Sequence, residues 1–484
     1  MKLIKSISKV VLVLTTVSLL ASPLQAGAAP YEGYTYSYWG DSVNTPNAYI
    51  PSGTIDGSEQ GIGKLLEPSD MYVAEDGLLY VLDAGNGRIV VFDTDWRVVR
   101  EIRGFVRDGK NEKFNSPQGI YVTKHNHIYI ADTENRRVVE LTGEGDFVRD
   151  IGAPKSDVIR SGFEYYPIKV TVDHAGRIYV VGRGVFDGII ELDADGNFTG
   201  FMGTNRVKFD AWDYFWKKMS TKEQRSKLEQ FVPLEFNNVD LDSEGFLYTT
   251  TSEPTSTDPI KRLNPVGEDV LRRQGYWFPR GDIYSMGTSE SSLLIDVKVG
   301  ENGVYSALDS RKGRVFTYDQ DGNLLYIFGR MGEQEGTFRT PVALERRGDD
   351  FLVLDKAMNR ISVFKPTRYG ALINEANHLL FSGKYDEAEQ KWKDLLKLDS
   401  NNEIAYVGIG KVMLRQGENK QALEYLKLGY DREYYSKAFG KYRKEVVREY
   451  FGTGMTIVIV LGVALGGFSL LRRRARGKVK TNVT

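Results

Sequence analysis

The sequence contains no cysteine. That excludes disulfide bonds, thiolate metal sites, a cysteine nucleophile and a lipid-modified cysteine, so packing alone must hold the fold. Histidine is scarce: His125, His127, His174 and His378 are the only four, and two of them, His125 and His127, fall in a strand-joining turn. Excess charge of either sign is missing as well. Lys and Arg total 64 against 65 Asp and Glu, for a net charge of −1, so no global field draws the chain to nucleic acid and no nucleic-acid partner is expected. No nucleophile elbow, phosphate loop or paired-carboxylate motif stands out, and neither a catalytic residue nor a cofactor nor a metal site is assigned.

Both ends carry membrane signals. Lys2 and Lys5 precede "VVLVLTTVSLLA" and then "SPLQAGAAP", the charged, apolar and small-residue order of a secretory signal over 1–28. Near the other end "MTIVIVLGVALGGFSLL" is uncharged and is followed at once by "RRRARGKVK". This predicts one transmembrane helix over 453–471 with a basic cytoplasmic tail over 472–484, because basic residues beside a span stay inside. The domains between are then extracytoplasmic, on a single-pass cell-membrane protein.

Between these signals the chain repeats at about forty to fifty residues, the range of propeller blades. The clearest units are "EPSDMYVAEDGLLYVLDAGNGRIVVFDTDWRVVREIRG" and "SPQGIYVTKHNHIYIADTENRRVVELTGEGDFVRDIG"; four further units start at Tyr166, Pro233, Ser292 and Thr340. Six units of four short strands separated by Gly, Asp and Asn turns predict an all-β six-bladed propeller over 31–366. The turns "DADGN" at Asp193 and "DQDGN" at Asp319 lack the closing glutamate of a calcium loop and read as hairpin turns.

An apolar strand followed by D-x-x-N-x-R occurs in full at Asp83, Asn86 and Arg88 and at Asp132, Asn135 and Arg137. It persists without the middle Asn at Asp309 with Arg314 and at Asp355 with Arg360. These residues resemble the NHL-repeat propellers. The motif itself reads as structural: the Asp accepts backbone N–H groups of the following loop and the Arg spans to a neighbouring carboxylate or carbonyl.

The repeat is broken between its third and fourth units by an insertion over 204–232. Trp212, Tyr214 and Trp216 gather there before "STKEQRSKLEQF", a capping-box helix start. Those aromatics are candidate binding residues, with anchoring of the insertion as the bland alternative.

After "KPTRYG" the period becomes helical. "SGKYDEAEQKW" and "QGENKQALEYL" place Gly383 and Gly417 34 residues apart, with Ala388 and Ala422 at matching positions. The spacing resembles tetratricopeptide repeats and predicts a helical domain over 369–451. The whole reads as a membrane-anchored binding or scaffold protein with a protein partner, and the alternative is a lactonase-like hydrolase or lyase with a metal at the central channel. Anchored NHL proteins of this layout, as the resemblance implies, stand beside bacterial sugar-uptake transporters, which makes a carbohydrate a candidate ligand. Finally, the sixth unit shows only three strands, and "YTYSYWG" over 34–40 alternates like the outer strands of other units. It is therefore expected to supply the missing strand and close the ring.

Overall fold

The computed structural model describes residues 29–156, 159, 162–203, 235–251, 256–283 and 291–480. The expected signal segment and the insertion with Trp212, Tyr214 and Trp216 lie outside the described residues.

Period-two alternation becomes antiparallel sheets arranged in a ring. Their first strands are Asp70–Val73, Gly119–Val122, Pro167–Val172, Phe236–Leu241, Leu294–Val299 and Pro341–Arg347. Neighbouring first strands touch in succession and the sixth returns to the first, which makes a six-bladed propeller; we number the blades in that order. Five blades have four strands, and blade 4 has three among the described residues. The middle strands are buried on both faces, as in "LYVLD" of Leu79–Asp83, so they read as apolar runs rather than as alternations. The core accordingly lies between blades: Leu82 and Ile89 of blade 1 pack with Ile120 and Ile130 of blade 2.

The ring is closed by a different segment from the one expected. The outer strand of blade 6 is Tyr49–Ile55, antiparallel to Arg360–Pro366, with Ile361 opposite Ile55 and Pro366 opposite Tyr49. Pro51 is tolerated there because an outer strand leaves one edge unpaired. The 34–40 stretch contributes Gly33–Tyr36 to a separate hairpin with Ser42–Thr45, and Trp39 at its tip is 75% exposed. This hairpin is held against blade 5 by charge. Tyr34 and Tyr36 donate to Asp282 at 2.7 and 2.6 Å, Tyr36 stacks on Trp277 at 3.7 Å, and Arg314 and Lys312 pair with the same carboxylate. Burial would push Asp282 up, but Arg314, the two tyrosine hydroxyls and Lys312 hold it below the ordinary carboxylate range. Tyr36→Phe should therefore lower stability by about 1.5 kcal/mol, the size of one hydrogen bond to a charged group. Urea unfolding with an unchanged slope is the check.

A C-terminal helical region follows: α1 Arg368–Phe381, α2 Tyr385–Leu396, α3 Glu403–Gln416, α4 Asn419–Leu428 and α5 Arg432–Lys480. Gly383 and Gly417 end the first and third helices in left-handed turns, φ 76° and 88°, a conformation costly for any other residue. The first helix begins where the propeller ends, and Gly370 lets it approach: a Cβ there would lie 2.1 Å from the Ala48 carbonyl oxygen. Helices and propeller share one core, in which Phe328, Phe351 and Phe364 join Tyr369, Ile373 and Trp392. Polar bonds cross the same junction. Asn374 accepts from Tyr326 at 2.9 Å and donates to Tyr49 at 2.8 Å, while buried Lys411 meets Asp321 at 2.9 Å. Helix α5 is apolar and long enough, through residue 474, to cross a membrane.

Candidate functional site at the channel mouth

The repeat motif acts between a blade and the chain that enters it. Asp83 accepts the N–H of Leu66 at 2.7 Å, the Nδ2 of Asn86 at 2.8 Å and the Nε of Arg88 at 2.7 Å. Asp132 likewise accepts from Asn115, Asn135 and Arg137. In these two blades the backbone donors come from the segment before the blade; in blades 5 and 6 the loop after the Asp donates as well, from Arg311 to Asp309 and from Met358 to Asp355, each at 2.9 Å. Blades 5 and 6 keep the carboxylate and redirect the arginine. Asp309 accepts the Leu293 N–H at 3.0 Å while Arg314 turns to Asp282; Asp355 accepts the Arg339 N–H at 2.6 Å while Arg360 donates to the Gln334 carbonyl at 2.8 Å. None of these residues lines the channel or its mouth. Asp193 spends its carboxylate on the N–H groups of Asp195 and Asn197 within its own turn, and Asp319 does the same with Asp321 and Asn323. His127 faces Glu140 at 2.7 Å.

The polar centre lies elsewhere, on the inner strands. Aligned by their pairing to the second strands, these strands present two tiers: Asp70, Gly119, Lys169, Asn238, Asp296 and Ala343, then Tyr72, Tyr121, Thr171, Asp240, Lys298 and Glu345. Positions two apart on a strand share a face, and most of these twelve, Asp70 to Glu345 among them, line the channel. They nearly fill it, leaving about 30 Å³, little more than room for one water.

Every charge in this plug has a partner. Lys169 pairs with Asp70 at 2.6 Å, and Lys298 with Glu345 at 2.9 Å and Asp240 at 3.7 Å. Asp70 also accepts the Ile120 N–H, and Asp240 the Val299 N–H, each at 2.9 Å. Asp296 accepts the Leu344 N–H at 2.6 Å and the side-chain amide of Asn238. Four carboxyl groups nevertheless face two ammonium groups. Burial, only partly offset by Lys169 and aggravated by Asp70, raises Asp296 to about 7; burial, with Asp240 competing for Lys298, raises Glu345 to about 8. Burial alone would lower the two lysines, but Asp70 and Asp296 keep Lys169 raised, and Asp240 and Glu345 keep Lys298 well above its usual range. Among the described residues no three His, Asp or Glu side chains converge as metal ligands would.

Beyond the second tier the channel opens into a cavity of about 930 Å³ between the ends of the inner strands and α1. Lys298 forms part of its floor, and Asn374, Asn377 and His378 belong to the helix above. A second cavity of about 280 Å³, running toward Lys411, meets the first at Asn302, Val304 and Asn377. Residues outside the repeat motif therefore build this site. Its signal in the sequence is weak but present: the polar members of each tier differ from blade to blade, while the apolar positions between them stay apolar.

Comparison with known proteins agrees with this architecture. The NHL repeat model matches residues 65–92 and 114–141, the parts of blades 1 and 2 that carry the full motif. A comparison with curated proteins finds no significant match. Among solved structures, the chain is similar to virginiamycin B lyase from Staphylococcus aureus, with 10% identity, 66% of this chain and 100% of that one covered, and a TM-score of 0.41. A streptogramin B lyase has 14% identity, 62% and 94% coverage and a TM-score of 0.38. A Bacteroides thetaiotaomicron protein of unknown function has 14% identity, 69% and 76% coverage and a TM-score of 0.42. Likeness at this level carries no activity across.

Proposed function

We propose that the chain is a membrane-anchored recognition scaffold, in which the NHL propeller and the tetratricopeptide-like helices form one head on a single transmembrane helix. The observation that carries this reading is the shared core across the propeller–helix junction, from Phe328 through Tyr369 to Trp392. Movements of the head relative to the anchor are restricted by such a core, and α5 continues from it into the apolar stretch. The basic "RRRARGKVK" run orients the tail inward, and with it the head outward. A propeller enzyme with a channel metal is disfavoured on chemical grounds: Lys169 and Lys298 stand among the carboxylates that would hold a cation and repel one there. The helices offer additional surface to a protein partner, and a carbohydrate transporter is the partner class suggested by the NHL resemblance.

Fractionation of cells that express the full chain tests the anchor and its orientation. The protein should stay in membranes through an alkaline carbonate wash, and protease added to intact cells should digest the head while sparing a C-terminal tag. Release by carbonate, or a head protected from outside, overturns the reading.

A further inference from the structure

The position after the second tier, aligned by the same pairing, is aliphatic in five blades, at Val73, Val122, Val172, Leu241 and Val299, and is Arg346 in the sixth. Arg346 lines the 930 Å³ cavity. Its guanidinium lies over the Phe351 ring at 4.7 Å and takes part in no ion pair among the described residues. A half-buried arginine with a carboxylate partner would be ordinary; one without such a partner, in a cavity of ligand size, is a vacancy for an oxyanion. Asn377 adds a second open position, because its Nδ2 is buried without a hydrogen-bond partner and it stands where the two cavities meet.

The rest of the lining limits which anion fits. Glu301, Asp349 and Glu375 stand exposed around the same cavity, and their like charge opposes a dianion such as phosphate more than a singly charged group. A neutral ligand would leave Arg346 desolvated and unpaired. An apolar body is also unsuited, since the lining amides donate to and accept from hydroxyl groups and the carboxylates accept from them. We infer that this cavity binds a small hydroxylated monocarboxylate, its carboxylate received by Arg346 and a polar substituent by Asn377. The inference rests on the head being a recognition unit and names the chemistry of what it recognises.

Thermal unfolding of the full chain in detergent, with gluconate, galacturonate, glucose or inorganic phosphate added, tests it. At least one of the two carboxylates should raise the melting temperature by several degrees, with glucose and phosphate giving none of that shift. Arg346→Leu should abolish the shift while folding normally, since five blades already carry an aliphatic residue there. If that variant does not fold, Asn377→Ala must diminish the shift. No protection by either carboxylate, equal protection by glucose or phosphate, or a shift undiminished in the variants overturns the inference. None of these outcomes affects membrane retention of the head, so the anchoring reading and this one fall separately.

Discussion

Replacing Tyr49 with alanine should lower the stability of the head by about 3–5 kcal/mol, the usual cost of emptying a large aromatic site. That is a large share of the roughly 5–15 kcal/mol by which a folded domain exceeds its unfolded state. Tyr49 begins the closing strand, is fully buried, and touches three parts of the molecule at once. Its ring packs on Tyr326 and Phe328 of blade 5 and on Phe351 of blade 6, with centroids 4.8–5.4 Å away. Its hydroxyl accepts from Asn374 of α1, and its carbonyl accepts from Tyr31 at 2.9 Å. Losing the ring opens a cavity at the seam of the ring and unpairs Asn374 on one side, so blade closure and helix docking should weaken together. Urea unfolding followed both by tyrosine fluorescence and by far-ultraviolet dichroism is the measurement. Coincident curves shifted by this amount are expected; a loss under 1 kcal/mol would place the closure energy elsewhere.

The closing strand, Tyr49–Ile55, is not legible from local sequence. Both "YTYSYWG" and "YIPSGTI" precede the first full unit, but only the first alternates cleanly, so periodicity favours the stretch that does not close the ring. Pro51 and Gly53 are unusual in a strand, yet an outer strand tolerates Pro and a bulge accommodates Gly. What decides is tertiary: Tyr34 and Tyr36 have a buried carboxylate to satisfy at Asp282, which is more than 240 positions away in the chain. By contrast, six blades and the helical turn to Gly383 and Gly417 were legible, because each depends on local spacing. The motif carboxylates are legible as residues, and the following loop does donate to Asp309 and Asp355, but the upstream donors at Leu66 and Asn115 are not legible from local spacing. The channel tiers were hidden for a further reason. Asp70, Lys169, Asp240, Asp296, Lys298 and Glu345 come from five blades, and no window of sequence contains more than two of them. Aligning the units on their inner strands would have exposed the two variable polar columns and, one position on, the departure at Arg346.

Lys298→Met should be as damaging as the loss of Tyr49, by about 3–5 kcal/mol above pH 8, because it strands buried carboxylates without a cation. Glu345 and Asp240 both depend on that ammonium, at 2.9 and 3.7 Å. The pH dependence distinguishes this cause from simple loss of packing. In the native protein Asp296 and Glu345 are raised to about 7 and about 8, so the folded state binds more protons than the unfolded chain over the window above their ordinary values. Their contribution is thus fully present below about pH 4 and is lost as pH rises through 7 and 8. Asp282 and Asp321, held low by their cations, work in the opposite sense and lose their contribution only as pH falls through the acid range. Stability should consequently peak in weakly acidic solution. Removing Lys298 raises Glu345 further, so the variant should keep losing stability above pH 8, where the native chain levels off, and recover toward neutral pH as Glu345 takes up a proton. Glu345→Gln in the same chain should restore most of the loss above pH 8, where Glu345 would otherwise ionise, and flatten the slope. Melting temperatures that shift equally at every pH, with no rescue by the second substitution, would mean that the lysine acts through its methylene stem and that the channel charges are not coupled to one another.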